Sequence, residues 1–251
     1  MTQSWKIFHY SKKLSLKILK YLVISKFFRK FAQYNSILQQ KYHKTEMNWI
    51  AFREQFFELG CVNIHQIYAW YPSFQQNNLA RWTRLNYLIK LRNGYYAFPD
   101  YLKVANFETY IASQIYRPSY ISLHSALAFY GIIPESVIQI TSVSSLKTAF
   151  FKNTFGEYSY KAVRSELMFG YENKPLADGR SVPFATPEKA LLDLLYLYPF
   201  YNNEQELEEL RLDHDFLQSD LNVSKLMTDL EKFENKALEK RVILLKKVYE
   251  L

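Results

Sequence analysis

A single cysteine, Cys61, stands in 251 residues, so no intramolecular disulfide framework and no cysteine-based zinc cluster can form. Glycine and proline are also sparse, six and eight, which argues against low-complexity or collagen-like chain. No apolar run approaches the roughly 18 residues that a membrane-spanning helix needs. The longest unbroken apolar run in the N-terminal segment is Tyr21 to Ile24, and Lys26, Arg29 and Lys30 follow where a signal peptide would carry a small-residue cleavage site. No phosphate-binding glycine loop, dinucleotide fingerprint or paired metal-ligand spacing occurs. What the chain has in quantity is aromatic side chains: 21 Tyr, 19 Phe and 4 Trp, enough to build a substantial core.

The formal charge is +8, but it is unevenly placed. Residues 1–46 hold ten Lys/Arg and one acid, Glu46, whereas the remaining 205 residues carry 22 basic and 23 acidic side chains. The basic excess thus belongs to the first 46 residues. On a helical wheel Leu14, Leu16, Leu19, Ile24 and Phe27 scatter with lysines between them, which makes a poor membrane-surface helix. A basic nucleic-acid-binding arm and an extension outside the working domain both fit this segment. The second reading is preferred, with the functional domain opening at Met47.

Residues 47–98 read as a first domain. Trp49, Phe52, Phe56 and Leu59 recur at helical spacing over residues 48–60, and Gly60 supplies a stop. Residues 62–70 give a second helix that Pro72 bars from continuing. A third helix is expected over residues 77–90, capped by Asn77 or Asn78. Its Leu79, Trp82, Leu85 and Ile89 form an apolar stripe, and Arg81 and Arg84 lie one turn apart on the opposite side. Asn93-Gly94 then marks a tight hairpin, expected as a type I′ turn with both residues at positive φ, and Lys90 and Arg92 flank it. Three helices followed by a basic hairpin is the order of a winged helix-turn-helix.

Between Leu59 and Pro99 the only charged residues are Arg81, Arg84, Lys90 and Arg92. An acid-free cationic patch suits phosphate contact, since a carboxylate there would repel the backbone. Arginine also matches guanine and asparagine matches adenine in the major groove. The candidate DNA-binding residues are therefore Asn77, Asn78, Arg81, Arg84, Lys90, Arg92, Asn93 and Gly94.

Residues 99–251 read as a second, mixed domain with a small sheet and a helical C-terminus, giving an α+β fold class overall. A helix is expected over residues 101–116 and another from Ser122 to Gly131. Strands are expected over residues 137–143 and 158–163, with a strand pair over 168–171 and 182–185. Thr186-Pro187-Glu188 opens the clearest helix, with Thr186 as N-cap, Pro187 at the first helical position and Glu188 at the positive end of the dipole. Residues 203–251 read as helical, with Asn222 as a cap.

No catalytic constellation emerges. His124 beside Ser122 and Ser125 lacks a third partner and reads as a structural histidine. Glu206, Glu208, Glu209, Asp213 and Asp215 lack calcium-loop spacing and read as a solvated helix face. Cys61 reads as a small filler. The chain is expected to be non-enzymatic, without metal or cofactor.

Four blocks in order resemble the AbiEi family of antitoxins and transcriptional regulators of type IV toxin–antitoxin systems: Ser125-Ala126-Leu127-Ala128-Phe129-Tyr130-Gly131-Ile132-Ile133-Pro134-Glu135, Ile140-Thr141-Ser142-Val143, Phe155-Gly156-Glu157-Tyr158-Ser159-Tyr160, and Ala185-Thr186-Pro187-Glu188-Lys189-Ala190-Leu191-Leu192-Asp193-Leu194. The resemblance covers roughly residues 47–217. It implies a cytoplasmic protein whose winged helix represses its own promoter. The second domain would neutralise an AbiEii-like nucleotidyltransferase toxin, in a phage abortive-infection setting and without a tight complex. Carried onto this sequence, the DNA-reading helix falls on residues 77–89 and the wing on 90–96. The other reading of the same chain is a protein-interaction module in which the winged helix serves only as a scaffold.

Overall fold

The computed structural model describes residues 47–135 and 137–251, and the expectations for residues 1–46 lie outside it. The chain is α+β, with helices, a three-stranded sheet and a six-stranded sheet. It divides into two compact units. The first takes the described residues up to Phe56 together with Gln66–Gln76, and the second takes Phe57–His65 and Asn77–Leu251.

In the first unit, helix α1 (Trp49–Phe56) opens on Asn48, whose Oδ1 accepts from the Ala51 N–H at 3.0 Å. Phe52 and Phe56 are fully buried, with ring centroids 4.9 Å apart, and Phe74 lies 6.0 Å from Phe52. The helix is shorter than the expected 48–60. Residues Phe57–Leu59 tighten into a 3-10 turn and Gly60 turns the chain at φ +68°. Leu59, expected on the apolar stripe, is 38% exposed.

The chain then does what periodicity did not reveal. Cys61–Asn63 is a strand, β1, and helix α2 starts only at Ile64 (Ile64–Trp70). Helix α3 (Asn77–Arg84) leads to strands β2 (Ile89–Arg92) and β3 (Tyr95–Ala97). β3 pairs antiparallel with both β1 and β2, so the small sheet has the order β1-β3-β2.

A 3-10 turn (Pro99–Lys103) follows, then helix α4 (Phe107–Ile115). The single helix expected over residues 101–116 is thus broken, because Val104 is extended and Asn106 is left-handed at φ +59°. The rest comprises β4 (Ser119–Ile121), α5 (Leu123–Phe129), β5 (Gln139–Ser144), β6 (Ala149–Asn153), β7 (Gly156–Ala162), β8 (Tyr171–Pro175) and β9 (Ser181–Ala185). These strands form one mixed sheet in the order β6-β7-β5-β4-β9-β8, larger than the small sheet expected. The β5/β7 and β4/β9 pairs are parallel and the others antiparallel. β4 and β6 are additions to the sequence reading.

Helix α6 (Pro187–Leu197) is buried continuously from Glu188 to Leu195 and packs on α5 and β9. Four further helices complete the chain: α7 (Glu204–Glu208), α8 (His214–Ser219), α9 (Val223–Glu231) and α10 (Lys236–Val248). Asn222 caps α9 as expected, accepting from the Lys225 N–H at 2.9 Å. Asn203, Asp213 and Asn235 cap their helices in the same way.

Inside this unit, α6 carries an ion pair with no solvent access. Lys189 Nζ meets Asp193 Oδ1 one turn on, and both side chains are wholly buried. Asp193 Oδ2 also accepts from Tyr120 Oη at 2.9 Å and Ser122 Oγ at 2.8 Å. The Lys189 ammonium lies over the rings of Phe169 (4.7 Å), Phe233 (4.7 Å) and Tyr120 (5.6 Å). Gly170, at φ +69°, lets the lysine stem pass: a Cβ there would lie 3.1 Å from it. Thr186 occupies the N-cap position, but its hydroxyl does not cap the helix and accepts instead from Lys225 Nζ at 2.6 Å. Lys225 also pairs with Glu188 at 2.5 Å.

Candidate nucleic-acid interface

Helix α3 is two-faced. Leu79 and Trp82 are buried, whereas Arg81 and Arg84 are exposed and form no ion pair among the described residues. Asn77 and Asn78 stand at its first turn, Asn77 exposed and Asn78 half-buried. The helix stops at Arg84 rather than running to residue 90. Asn86 adopts φ +57°, its N–H bonds Thr83 O at 3.1 Å, and the Tyr87 N–H bonds Trp82 O at 2.8 Å. This pair of bonds around a left-handed residue is a Schellman cap, and asparagine is the usual substitute for glycine there. Leu85 is consequently 53% exposed and Ile89 enters β2, so neither extends the buried stripe of α3.

The hairpin forms at Asn93-Gly94, though not as a type I′ turn. Gly94 has φ +79°, whereas Asn93 is not among the residues at positive φ. A bulge accompanies this: Lys90 faces Tyr96 and Arg92 faces Tyr95, leaving Leu91 as the additional residue. A turn with one left-handed residue matches the strand twist less well, and the bulge takes up the difference. The Ile64 N–H donates to Gly94 O at 2.8 Å, tying the turn to the start of α2. Lys90 and Asn93 are exposed, and Leu91 is buried.

Arg92 is placed differently from the other cations. It is half-buried, with its guanidinium over the rings of Tyr95 (4.9 Å), Phe151 (5.0 Å) and Tyr116 (5.7 Å). Phe151 belongs to β6 and Tyr116 follows α4. Asn153, at the end of β6, donates to Leu91 O at 3.3 Å. The hairpin is therefore anchored on the edge of the six-stranded sheet, an arrangement that no local pattern in the sequence signals.

A second arginine grips the same unit from the β8–β9 turn. Arg180 donates to Glu58 O and to Tyr101 Oη, both at 2.9 Å, and lies over the rings of Tyr101, Tyr110 and Phe107. Gly60 sits beneath it, where a Cβ would come within 2.9 Å of Phe107 and 3.1 Å of Arg180.

The remaining candidate groups resolve into structural roles. Cys61 is buried in β1, and burial pushes its thiol up to about 12, far from a reactive thiolate. His124 sits at the start of α5 against Tyr198, with its pKa lowered by burial, a shift that Glu135 opposes. Asp213 caps α8, accepting from the Phe216 N–H at 2.7 Å. Among the described residues no group of three His, Cys, Asp or Glu side chains is placed to hold a metal ion, and no helix is long and apolar enough to cross a membrane. No family model and no curated protein matches the chain.

Proposed function

We propose that this chain binds double-stranded DNA through α3 and the β2–β3 hairpin, as a winged helix-turn-helix that represses its own promoter. The observation that carries the reading is the pair of exposed guanidinium groups of Arg81 and Arg84, which form no ion pair among the described residues and lie one turn apart on a helix whose other face is buried. The order helix, strand, helix, helix, hairpin, with a β1-β3-β2 sheet, supports the winged form. Lys90 and Asn93 extend the exposed polar surface along the hairpin, and no acid lies between Leu59 and Pro99. In this reading Asn77 and Asn78, in the first turn, supply the contacts to base edges, because the N-terminal residues of a recognition helix enter the major groove.

The resemblance to AbiEi antitoxins extends the proposal to a cytoplasmic regulator of a toxin–antitoxin operon, opposing a nucleotidyltransferase-like toxin. The DNA arm is tested by titrating the Arg81→Ala/Arg84→Ala double variant against the chain's own promoter at several salt concentrations. Each lost phosphate contact lowers the salt slope by about one unit. Wild-type affinity and slope in the double variant would refute DNA binding by this helix. The antitoxin arm is tested separately, by co-expression with a neighbouring nucleotidyltransferase gene and scoring of growth.

A further inference from the structure

We propose that Arg92 is a backbone-phosphate donor held in place by the six-stranded sheet, so that Phe151 and Tyr116 set DNA affinity without touching DNA. This rests on the DNA-binding reading above. An arginine offers anions its N–H edges, and its faces are free to stack. Here the faces are engaged by three rings within 6 Å. The edges are not: the guanidinium has no hydrogen bond or ion pair among the described residues, and none of its nitrogens is among the buried unpartnered atoms. A cation with its planes occupied and its donors open to solvent is prepared for an anion rather than for a protein carboxylate.

The cage is itself rigidly supported. Tyr116 Oη donates to Lys147 O at 2.7 Å, and its ring lies 4.8 Å from that of Tyr160. Tyr160 is fully buried, with its hydroxyl on Ala112 O at 2.7 Å. Asn153 fixes the hairpin backbone one residue from Arg92. Holding a long side chain in one geometry before the ligand arrives removes an ordering cost from binding. The six-stranded sheet therefore acts on affinity through one side chain of the hairpin.

The test uses the full chain, a short mixed-sequence DNA duplex and salt-dependent titrations of Arg92→Ala, Phe151→Leu, Phe151→Tyr, the Arg92→Ala/Phe151→Leu double variant and Arg81→Ala/Arg84→Ala. Thermal melts confirm folding of each. Arg92→Ala lowers the salt slope by about one unit. Phe151→Leu keeps the slope, since the charge remains, but weakens binding about two- to ten-fold, the ordering cost of one long side chain. Phe151→Tyr restores affinity, and the double variant is no weaker than Arg92→Ala alone. An unchanged slope in Arg92→Ala, with the Arg81/Arg84 variant responding, overturns the phosphate contact. Additive losses in the double variant overturn the positioning role. If the Arg81/Arg84 variant also keeps wild-type slope and affinity, the DNA-binding reading itself has failed.

Discussion

Breaking the buried Lys189–Asp193 pair should destabilise the protein more than any surface change, and the structure sets the scale. Neither side chain reaches solvent, so Asp193→Asn leaves a buried ammonium without its hydrogen-bonded partner, with only the weaker influence of the Asp229 carboxylate remaining. Losing one partner of a buried pair costs about 3–5 kcal/mol. The rings of Phe169, Phe233 and Tyr120 still face the cation and return part of that, which places the expected loss toward 3 kcal/mol. Lys189→Met strands the carboxylate instead, with the hydroxyls of Tyr120 and Ser122 as its remaining donors. Replacing both, as Lys189→Met/Asp193→Asn, removes both charges and leaves an amide to accept from those hydroxyls, so it should cost less than either single change. Thermal melting reads this as a drop of roughly 6–20 °C across the single variants, with Asp193→Asn toward the lower end, at about 2–4 °C per kcal/mol in a chain of this size. Burial also lowers the Lys189 pKa, and losing Asp193 removes the larger of the two carboxylate charges that oppose this, Asp229 being the other. A lysine depressed in the folded state penalises folding at neutral pH, and the penalty fades as pH rises toward its unfolded value near 10.4. Urea titrations at neutral pH and at about pH 9.5 should therefore show the Asp193→Asn deficit narrowing. Single variants that each cost under about 1 kcal/mol and simply add would refute a buried ionic pair.

Other consequences are as direct. Glu188 is buried, which raises its pKa, but the hydrogen bonds from Lys225 and Thr186 outweigh burial and hold it below the ordinary carboxylate value. Its contribution is thus present above the unfolded pKa near 4.3 and lost as pH falls through the folded value, so Lys225→Met should destabilise at pH 7 and converge with wild type in acid, by denaturant titration. At the end of α3, Asn86→Gly should be tolerated, whereas Asn86→Val, β-branched at φ +57°, should cost about 1–2 kcal/mol and loosen the α3–β2 connection, read by melting and hydrogen exchange. Gly60→Ala meets both a φ of +68° and Phe107 at 2.9 Å, and should destabilise by more than a backbone effect alone of about 1 kcal/mol. Native Cys61 should resist alkylation at pH 8 and react on unfolding, followed by mass spectrometry.

Features fixed by short-range chemistry were legible. The Asn93-Gly94 hairpin, the α6 start at Thr186-Pro187 and the Asn222 cap all follow from neighbours within four residues. The end of α3 is hidden in the sequence because Leu85 and Ile89 continue a helical spacing, and Asn86 outranks it only through a left-handed turn. Strands β4 and β6 are not legible because Ser119–Ile121 is three residues long and the residue types of Ala149–Asn153 do not alternate between apolar and polar; their pairing partners decide them. Lys189 and Asp193 at i, i+4 look like a solvated helix pair, and only tertiary burial shows otherwise. Of the candidate DNA surface, the exposure of Arg81 and Arg84 could be anticipated from one helix face. The surroundings of Arg92 could not, since Tyr116 and Phe151 come from distant segments.

The hairpin's dependence on β6 also bears on how such a protein can be inherited and re-engineered. A winged helix joined by a plain linker can be moved between proteins as a cassette. Here a graft ending at Phe98 would carry Arg92 away from Phe151 and Tyr116, and the 57–60 segment away from Arg180. Recombination at that boundary would cut the hairpin from the sheet edge that moors it, so the two parts must travel and diverge together.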